Sequence, residues 1–253
     1  MNNTKNLIQK ARAILENKNS SLTEGVTVKQ NEIRGKNSFR FTDDMPDWLG
    51  DAIISENAKF ELNRRGTLIW NGGVWFEGTF LNGIWKDGLW KDGVWLNGTW
   101  EDGRWDDGSW KNGTWKKGVW MDGKWERGTW EDGIWRSGKW KNGKWEDGRW
   151  EDGRWEDGRW EKGIWEDGSW LDGIWENGKW FGGNWHDGLW KDGLWKDGIF
   201  RGGEFRGGIW EDGIWMGGIW KGGKWETGEI VNSNRIEVTS DIPPSEFFNK
   251  KNK

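Results

Sequence analysis

The chain has 253 residues, including 30 tryptophans, 42 glycines and no cysteine, and its formal net charge is −4. The absence of cysteine excludes disulfides and thiolate metal sites, and no run approaches the roughly 18 apolar residues that a membrane-spanning helix needs. The near balance of charge does not indicate a nucleic-acid or anionic-lipid partner. The opening stretch MNNTKNLIQK lacks the apolar core of a secretion signal, so we expect an intracellular setting.

The first predicted element is an amphipathic helix within residues 1–20. Its apolar residues recur at helical spacing and form one stripe, which includes Leu7, Ile8, Ile14 and Leu15. Residues 21–65 are predicted to be a linker followed by an N-terminal cap. At the other end, residues 230–253 lie beyond the repeat and are predicted to form a C-terminal cap and tail, because the ends of repeat arrays need capping.

Residues 66–229 form a Trp-rich array of five-residue units. An aromatic residue stands at every fifth position from Trp70 to Trp225, and Phe80, Phe200 and Phe205 are its three phenylalanines. A glycine precedes each of these aromatics by two residues from position 73 to 223, so the unit is x-(D/N)-G-x-W. Asp, Asn and Gly tolerate turn conformations, which predicts a short extended piece around each aromatic followed by a corner.

The fixed and variable positions of the unit predict which side chains are buried. Charged and variable positions are typical of solvent-facing residues, so the fixed Gly and Trp are predicted to point inward. Burying one tryptophan is worth about 4–6 kcal/mol, and the repeat has no comparable apolar source. The predicted structural core is represented by Trp75, Trp110, Trp150, Trp180, Trp210, Gly73, Gly108, Gly148, Gly178 and Gly208.

Two architectures place a strand and a corner in every five residues. The stretch WENGKW, residues 175–180, resembles designed tryptophan-zipper hairpins, because Asn-Gly is a strong hairpin signal. Repeated hairpins would make an antiparallel β-meander, loosely similar to the sheets of membrane-occupation-and-recognition-nexus repeats. A meander predicts alternation every ten residues, which the sequence does not show. Equivalent units instead trace a screw, which is a β-solenoid.

The array resembles the pentapeptide-repeat family over roughly 155 residues, in a Trp-rich variant. That resemblance implies a square coil of about four units, although the family favours Leu or Phe where this chain has Trp. A twenty-residue column agrees with four units, since six of its eight members are aliphatic: Val74, Val94, Thr114, Ile134, Arg154, Ile174, Leu194 and Ile214. The predicted fold is an all-β solenoid of about four units per coil with a Trp core and short non-repetitive caps; the meander is the alternative.

No motif in the sequence indicates catalysis or a bound cofactor. His186, the single histidine, is at a variable position and is interpreted as an exposed surface residue. The Asp-Gly corners lack the paired-glycine unit of calcium-binding rolls, and no glycine-rich loop has phosphate-binding context. We therefore expect no catalytic, cofactor-binding or metal site, and a protein that is not an enzyme.

The expected function is a non-enzymatic structural or protein-interaction scaffold. Trp-rich pentad arrays are also similar in style to proteins of tailed phages, which implies a virion-associated or cytoplasmic setting. A protein partner or larger assembly is expected, with self-association as a further option. A carbohydrate- or nucleic-acid-binding module and a DNA-mimicking pentapeptide-repeat protein are the alternatives.

An interaction or cap surface is predicted at the first coils. Phe76, Leu81 and Leu96 are apolar although the repeat points them outward. In a four-unit coil Phe76 and Leu96 would stack on one face, because they are twenty residues apart. The helix with Leu7, Ile8, Ile14 and Leu15 is the predicted cover for this surface.

Overall fold

The computed structural model describes residues 25–27, 48–49, 52–231, 237–239 and 242–251. The array contains neither hairpins nor helices: it is a β-solenoid of about 11 turns with a buried tryptophan core. Each turn contains three five-residue units, so three parallel sheets run along the molecule. We call them face 1, which carries Trp70, face 2, which carries Trp75, and face 3, which carries Phe80.

The strands are numbered β1 to β37 in chain order. Face 1 contains β3(Lys59–Leu62), β4(Leu68–Gly72), β7(Gly83–Trp85), β10(Thr99–Trp100), β13(Thr114–Trp115), β16(Thr129–Trp130), β19(Lys144–Trp145), β22(Arg159–Trp160), β25(Ile174–Trp175), β28(Leu189–Trp190), β31(Glu204–Phe205) and β34(Ile219–Trp220). Face 2 contains β1(Gly25–Thr27), β2(Ile53–Ser55), β5(Val74–Glu77), β8(Leu89–Trp90), β11(Arg104–Trp105), β14(Val119–Trp120), β17(Ile134–Trp135), β20(Arg149–Trp150), β23(Ile164–Trp165), β26(Lys179–Trp180), β29(Leu194–Trp195), β32(Ile209–Trp210) and β35(Lys224–Trp225).

Face 3 contains β6(Thr79–Phe80), β9(Val94–Trp95), β12(Ser109–Trp110), β15(Lys124–Trp125), β18(Lys139–Trp140), β21(Arg154–Trp155), β24(Ser169–Trp170), β27(Asn184–Trp185), β30(Ile199–Phe200), β33(Ile214–Trp215), β36(Glu229–Val231) and β37(Glu237–Thr239). The described part of the chain also has one α-helix, α1(Pro244–Lys251). Helix α1 contacts β34, and Phe247 packs against the core.

The predicted coil of about four units is wrong. Strands pair in parallel with a shift of fifteen residues, so that Trp150 lies beside Trp165 and Arg149 beside Ile164. A triangle has sharper corners than a square, and the corner glycines permit this because their φ angles are positive, +119° at Gly148. The aliphatic column at twenty-residue spacing therefore does not lie on one face: Val74 is on face 2 and Val94 on face 3.

The core consists of three columns of stacked aromatic rings. Within a column, Trp150 lies parallel to Trp165 with ring centroids 4.8 Å apart, which matches the spacing of neighbouring strands. Within a turn, Trp150 meets Trp155 edge to face at 6.0 Å and 73°. Both geometries are the favoured arrangements of aromatic pairs, so one residue type serves contacts along and across the axis.

The glycine of each unit allows successive turns to approach. A Cβ atom on Gly148 would lie 2.5 Å from the carbonyl oxygen of Gly133 in the preceding turn. Residue 148 also contributes to the hydrogen bonds between its own turn and the next one. Ile164 N–H donates to Gly148 O at 2.9 Å, and Glu166 N–H donates to Trp150 O at 2.9 Å. Each unit is therefore joined to the next turn by backbone hydrogen bonds on both sides of the aromatic residue.

Antiparallel strands close parts of both ends of the solenoid. At the start, β2 pairs with β5 and β3 with β4, and Trp48 packs edge to face on Phe80 at 5.4 Å. At the end, Ile230 takes the position of a tryptophan in β36, and β37 folds back antiparallel. These strands differ from the parallel register of the array, and strand edges covered in this way are protected from pairing with other chains.

Candidate functional site: the outward corners and faces

Each five-residue unit presents two variable side chains, one on a corner and one on a face. Corner 1–2 follows face 1 and carries the residues at fifteen-residue spacing from Asn71 to Lys221. Corner 2–3 carries those from Phe76 to Glu226, and corner 3–1 those from Leu81 to Met216. These three corners and three faces are the surface that the array offers to any partner.

The aspartate or asparagine of the unit stabilises its own corner. In most Asp-Gly units the side-chain Oδ1 accepts the N–H of the following glycine, as Asp152 does from Gly153 at 2.6 Å. This bond satisfies a backbone donor that the strands leave unpaired. The corner carboxylates are thus structural, and among the described residues no group of three His, Cys, Asp or Glu is placed to hold a metal ion.

Ion pairs connect the outward side chains of successive turns. Some join corner residues fifteen positions apart, such as Lys91 and Asp106 at 2.7 Å. Others join a face residue to a corner of the next turn, such as Arg149 and Glu166 at 2.7 Å. These pairs are not predicted by a twenty-residue register, which separates their members; opposite charges at fifteen-residue spacing are the signal in the sequence that reveals them.

Glu126 is the most perturbed acid of this network. Hydrogen bonds from Lys111 and Lys124 lower its pKa from 4.5 to about 2, against the opposing effect of partial burial. Lys111 lies one turn away on the same corner, at 2.9 Å, and Lys124 lies on the adjoining face, at 3.0 Å. The carboxylate therefore joins two turns and stays charged well below neutral pH.

We expect Glu126 to make stability depend on pH in the acid range. Because its pKa is lowered in the folded state, its contribution is present above about pH 4.5 and is lost as the pH falls towards 2. Glu126→Gln should remove this part of the acid dependence of the thermal midpoint. Glu131→Gln is the matched control, since Glu131 makes no ion pair within the described ranges. Equal pH profiles for both variants and the parent would contradict the assignment.

His186 is exposed on corner 3–1, as the sequence predicted. Partial burial of the ring and the nearby guanidinium of Arg201 lower its pKa below the ordinary value of 6.5, so the imidazole is neutral at pH 7. The chain has no second histidine that could act together with His186. The geometry around it gives no indication of acid–base chemistry.

The array aromatics are shielded from water. Trp75, Trp110, Trp150, Trp180 and Trp210 are all 0% exposed. Within the described part of the chain, most buried indole N–H groups lack a hydrogen-bond acceptor, with Trp190 Nε1 donating to Gly207 O at 3.1 Å as an exception. The edge-to-face neighbours compensate in part, because the positive rim of one indole meets the negative face of the next.

We expect the native fluorescence to be poorly quenched by acrylamide or iodide. The rings that retain any exposure are near the ends, with Trp220 at 9% and Trp225 at 8%, and Trp48 half-buried. Stern–Volmer slopes should therefore be several-fold smaller in the folded protein than in the urea-unfolded chain. Slopes of similar size would contradict a buried core.

The predicted cap surface is only partly brought together. Leu81 and Leu96 lie fifteen residues apart on corner 3–1, with 38% and 36% exposure, so they occupy successive turns. Phe76 lies on corner 2–3 and is half-buried, so the predicted stacking of Phe76 with Leu96 is wrong. The two residues lie on different corners because each turn contains three units and not four. Leu7, Ile8, Ile14 and Leu15 lie outside the described residues.

Three comparisons with known proteins identify no family for this chain. No protein-family model, no curated protein and no solved structure matches this chain. In the described residues, no helix is long and apolar enough to cross a membrane.

Proposed function

We propose that the protein is a non-enzymatic scaffold: a rigid rod whose outward corners and faces bind a protein partner or join a larger assembly. The supporting observation is that the inward and outward residues of the unit have separate roles. Its aromatic and glycine residues are used entirely by the core and the close contact between turns, whereas the two outward positions vary from unit to unit. Variation on a constant frame is typical of repeat proteins that present binding surfaces.

Regular stacking supports the rigid part of this proposal. About 11 turns at roughly 4.8 Å per turn give a rod about 50 Å long. Neighbouring rings of a column differ in plane by only 5–8° through most of the array, as for Trp135 and Trp150 at 5°. Side chains at fifteen-residue spacing therefore stay nearly in line, which suits a spacer or a multipoint contact.

Ligand stacking on the array tryptophans has less support. A carbohydrate or single-stranded nucleic acid binds aromatic rings through their exposed faces, and those faces are occupied by other rings of the same column. A DNA-mimicking role is also weaker, because cations such as Arg149, Arg154 and Arg159 pair with the acids of the central turns. A virion or phage setting stays part of the proposal, on the likeness in sequence style.

The test is the distribution of the protein between free molecules and large assemblies in lysates of its source cells. We expect the protein to co-sediment with an assembly, and we expect Leu81→Glu with Leu96→Glu to reduce co-sedimentation without changing the thermal midpoint. Leu171→Glu with His186→Glu, on the same corner, is the matched control for added negative charge. Retention on a glycan column without co-sedimentation would overturn the scaffold proposal in favour of sugar binding.

A further inference from the structure

Corner 1–2 separates its charges into two blocks along the rod. Four successive turns carry an acid at the residue that follows the aromatic: Glu131, Glu146, Glu161 and Glu176. The next three turns carry a base at the same position: Lys191, Arg206 and Lys221. The other two corners interleave acids, bases and apolar residues. An edge with a negative half and a positive half is complementary to the same edge in reverse.

Reversal about a twofold axis between Glu176 and Lys191 pairs six of these seven residues with an opposite charge and leaves Glu131 beyond the paired stretch. Glu176 meets Lys191 of a second copy, Glu161 meets Arg206, and Glu146 meets Lys221. Because all turns have the same rise, the reversed spacings match without adjustment. A twofold contact uses the same patch on both copies, so the three pairs occur twice.

Three of the six facing pairs on the two adjoining faces fit the same reversal, whereas Lys179 would face Leu194 and Lys144 would face Ile219. On face 2, Ile164 would lie opposite Ile209, which is 40% exposed in the isolated chain. On face 1, Ile174 would lie opposite Leu189, and Arg159 opposite Glu204. These contacts add apolar area and a further charge pair on either side of the corner.

One encounter in this alignment is between like charges, Arg149 and Lys224. Both cations already bind carboxylates of their own chain, Arg149 to Glu166 at 2.7 Å and Lys224 to Glu226 at 2.6 Å. Their repulsion is therefore reduced, and they lie at the ends of the paired stretch, where solvent screens most strongly.

The charged groups have atoms available for a second copy. Within the described residues, Glu146, Glu161 and Glu176 make their ion pairs through Oε1, which leaves Oε2 of each carboxylate to accept another bond. In the same ranges Lys221 makes no ion pair, and Arg206 uses Nε for Glu204 at 3.0 Å. Lys191 Nζ already donates to Glu176 Oε1 of its own chain at 3.0 Å and keeps further N–H donors for a second copy. Gly207 and Gly222 follow these two bases and carry no side chain that would hinder approach.

We propose that the protein forms an antiparallel, side-by-side homodimer through corner 1–2. The contact is electrostatic in its main part, with Ile164, Ile209, Ile174 and Leu189 forming its apolar component. Exposed ion pairs are individually weak, so the dimer depends on many small contacts and on ionic strength. This inference goes beyond the proposed scaffold function, because it needs no other protein and its failure would leave co-sedimentation unaffected.

The experiment is sedimentation velocity of the purified full chain across a concentration series, at about 0.01 M and about 1 M salt, where the screening length falls from about 30 Å to about 3 Å. We expect dimers at low salt and monomers at high salt. A monomer at low salt at every concentration, or association that high salt does not weaken, would overturn the proposal.

A charge-swap design identifies the surface. Arg206→Glu with Lys221→Glu makes every residue of the paired stretch except Lys191 acidic, and Glu146→Lys with Glu161→Lys makes every residue except Glu176 basic. For each double variant alone, the dimer dissociation constant at low salt should rise at least about tenfold, because like charges then face each other. An equimolar mixture should dimerise again, because both halves of the contact regain opposite charges.

The matched control reverses two bases of the same corner outside the paired stretch, Lys86→Glu with Lys116→Glu. It should dimerise like the parent, and all variants should keep the parent's far-ultraviolet circular dichroism and indole emission. A control variant as monomeric as the other two, or a mixture that stays monomeric, would place the contact elsewhere and reject the proposed alignment.

Discussion

Gly148→Val should lower the free energy of unfolding by about 3–5 kcal/mol, far more than a substitution at the outward-facing neighbour Arg149. A Cβ on residue 148 would lie 2.5 Å from Gly133 O and 3.0 Å from Gly133 N, and both are backbone atoms that cannot rotate away. The φ of +119° is also one that a β-branched residue rarely adopts. The successive turns would have to separate, which breaks hydrogen bonds and ring stacking together.

Arg149→Thr is the matched control at the neighbouring position. Arg149 is half exposed, and its ion pairs with Glu151 and Glu166 lie at the surface. Their loss should cost about 1 kcal/mol or less, and Thr suits a strand. The measurement is the thermal midpoint of both variants against the parent. Equal shifts would mean that residue 148 has room for a side chain, contrary to the close approach of the turns.

Trp150→Ala should destabilise the array by about 3–5 kcal/mol, because it leaves a cavity in the middle of an aromatic column. The ring of Trp150 is 0% exposed and lies 4.8 Å from Trp135 and 4.8 Å from Trp165. Its removal also deletes the edge-to-face contact with Trp155. Both neighbours of the column lose a stacking partner, and the strands on either side cannot close the gap without disturbing the turn.

Trp150→Phe is the informative comparison. The array already contains Phe80, Phe200 and Phe205 as buried members of ring columns, and Phe200 stacks on Trp215 at 4.4 Å. The phenylalanine variant should therefore be clearly more stable than the alanine variant in urea denaturation followed by circular dichroism. If the two variants unfold at the same urea concentration, an aromatic ring at position 150 adds no stability through stacking, and the ring columns do not stabilise the core.

The sequence predicted which residues are exposed on the outward surface but not which of them are neighbours. The exposure of Leu81 and Leu96 followed from their place in the unit, since a variable position points outward whatever the shape of the coil. Which residues become neighbours did not follow, because neighbourhood depends on how many units complete a turn. Leu96 consequently lies beside Leu81 rather than Phe76, and Glu126 lies beside Lys111. The charge blocks of corner 1–2 likewise become visible only at fifteen-residue spacing.

The sequence by itself determined that the array is a solenoid with tryptophan inside. Every unit from Gly73 to Trp225 keeps the same spacing, and identical local conformations must generate a screw. Only the tertiary structure decided that three units close a turn. A small change of angle at each glycine corner separates a triangle from a square, and five residues do not encode it. The choice is made by contacts between units distant in sequence: Trp150 against Trp155 across the axis and against Trp165 along it, with Gly148 close enough to Gly133 for the turns to bond.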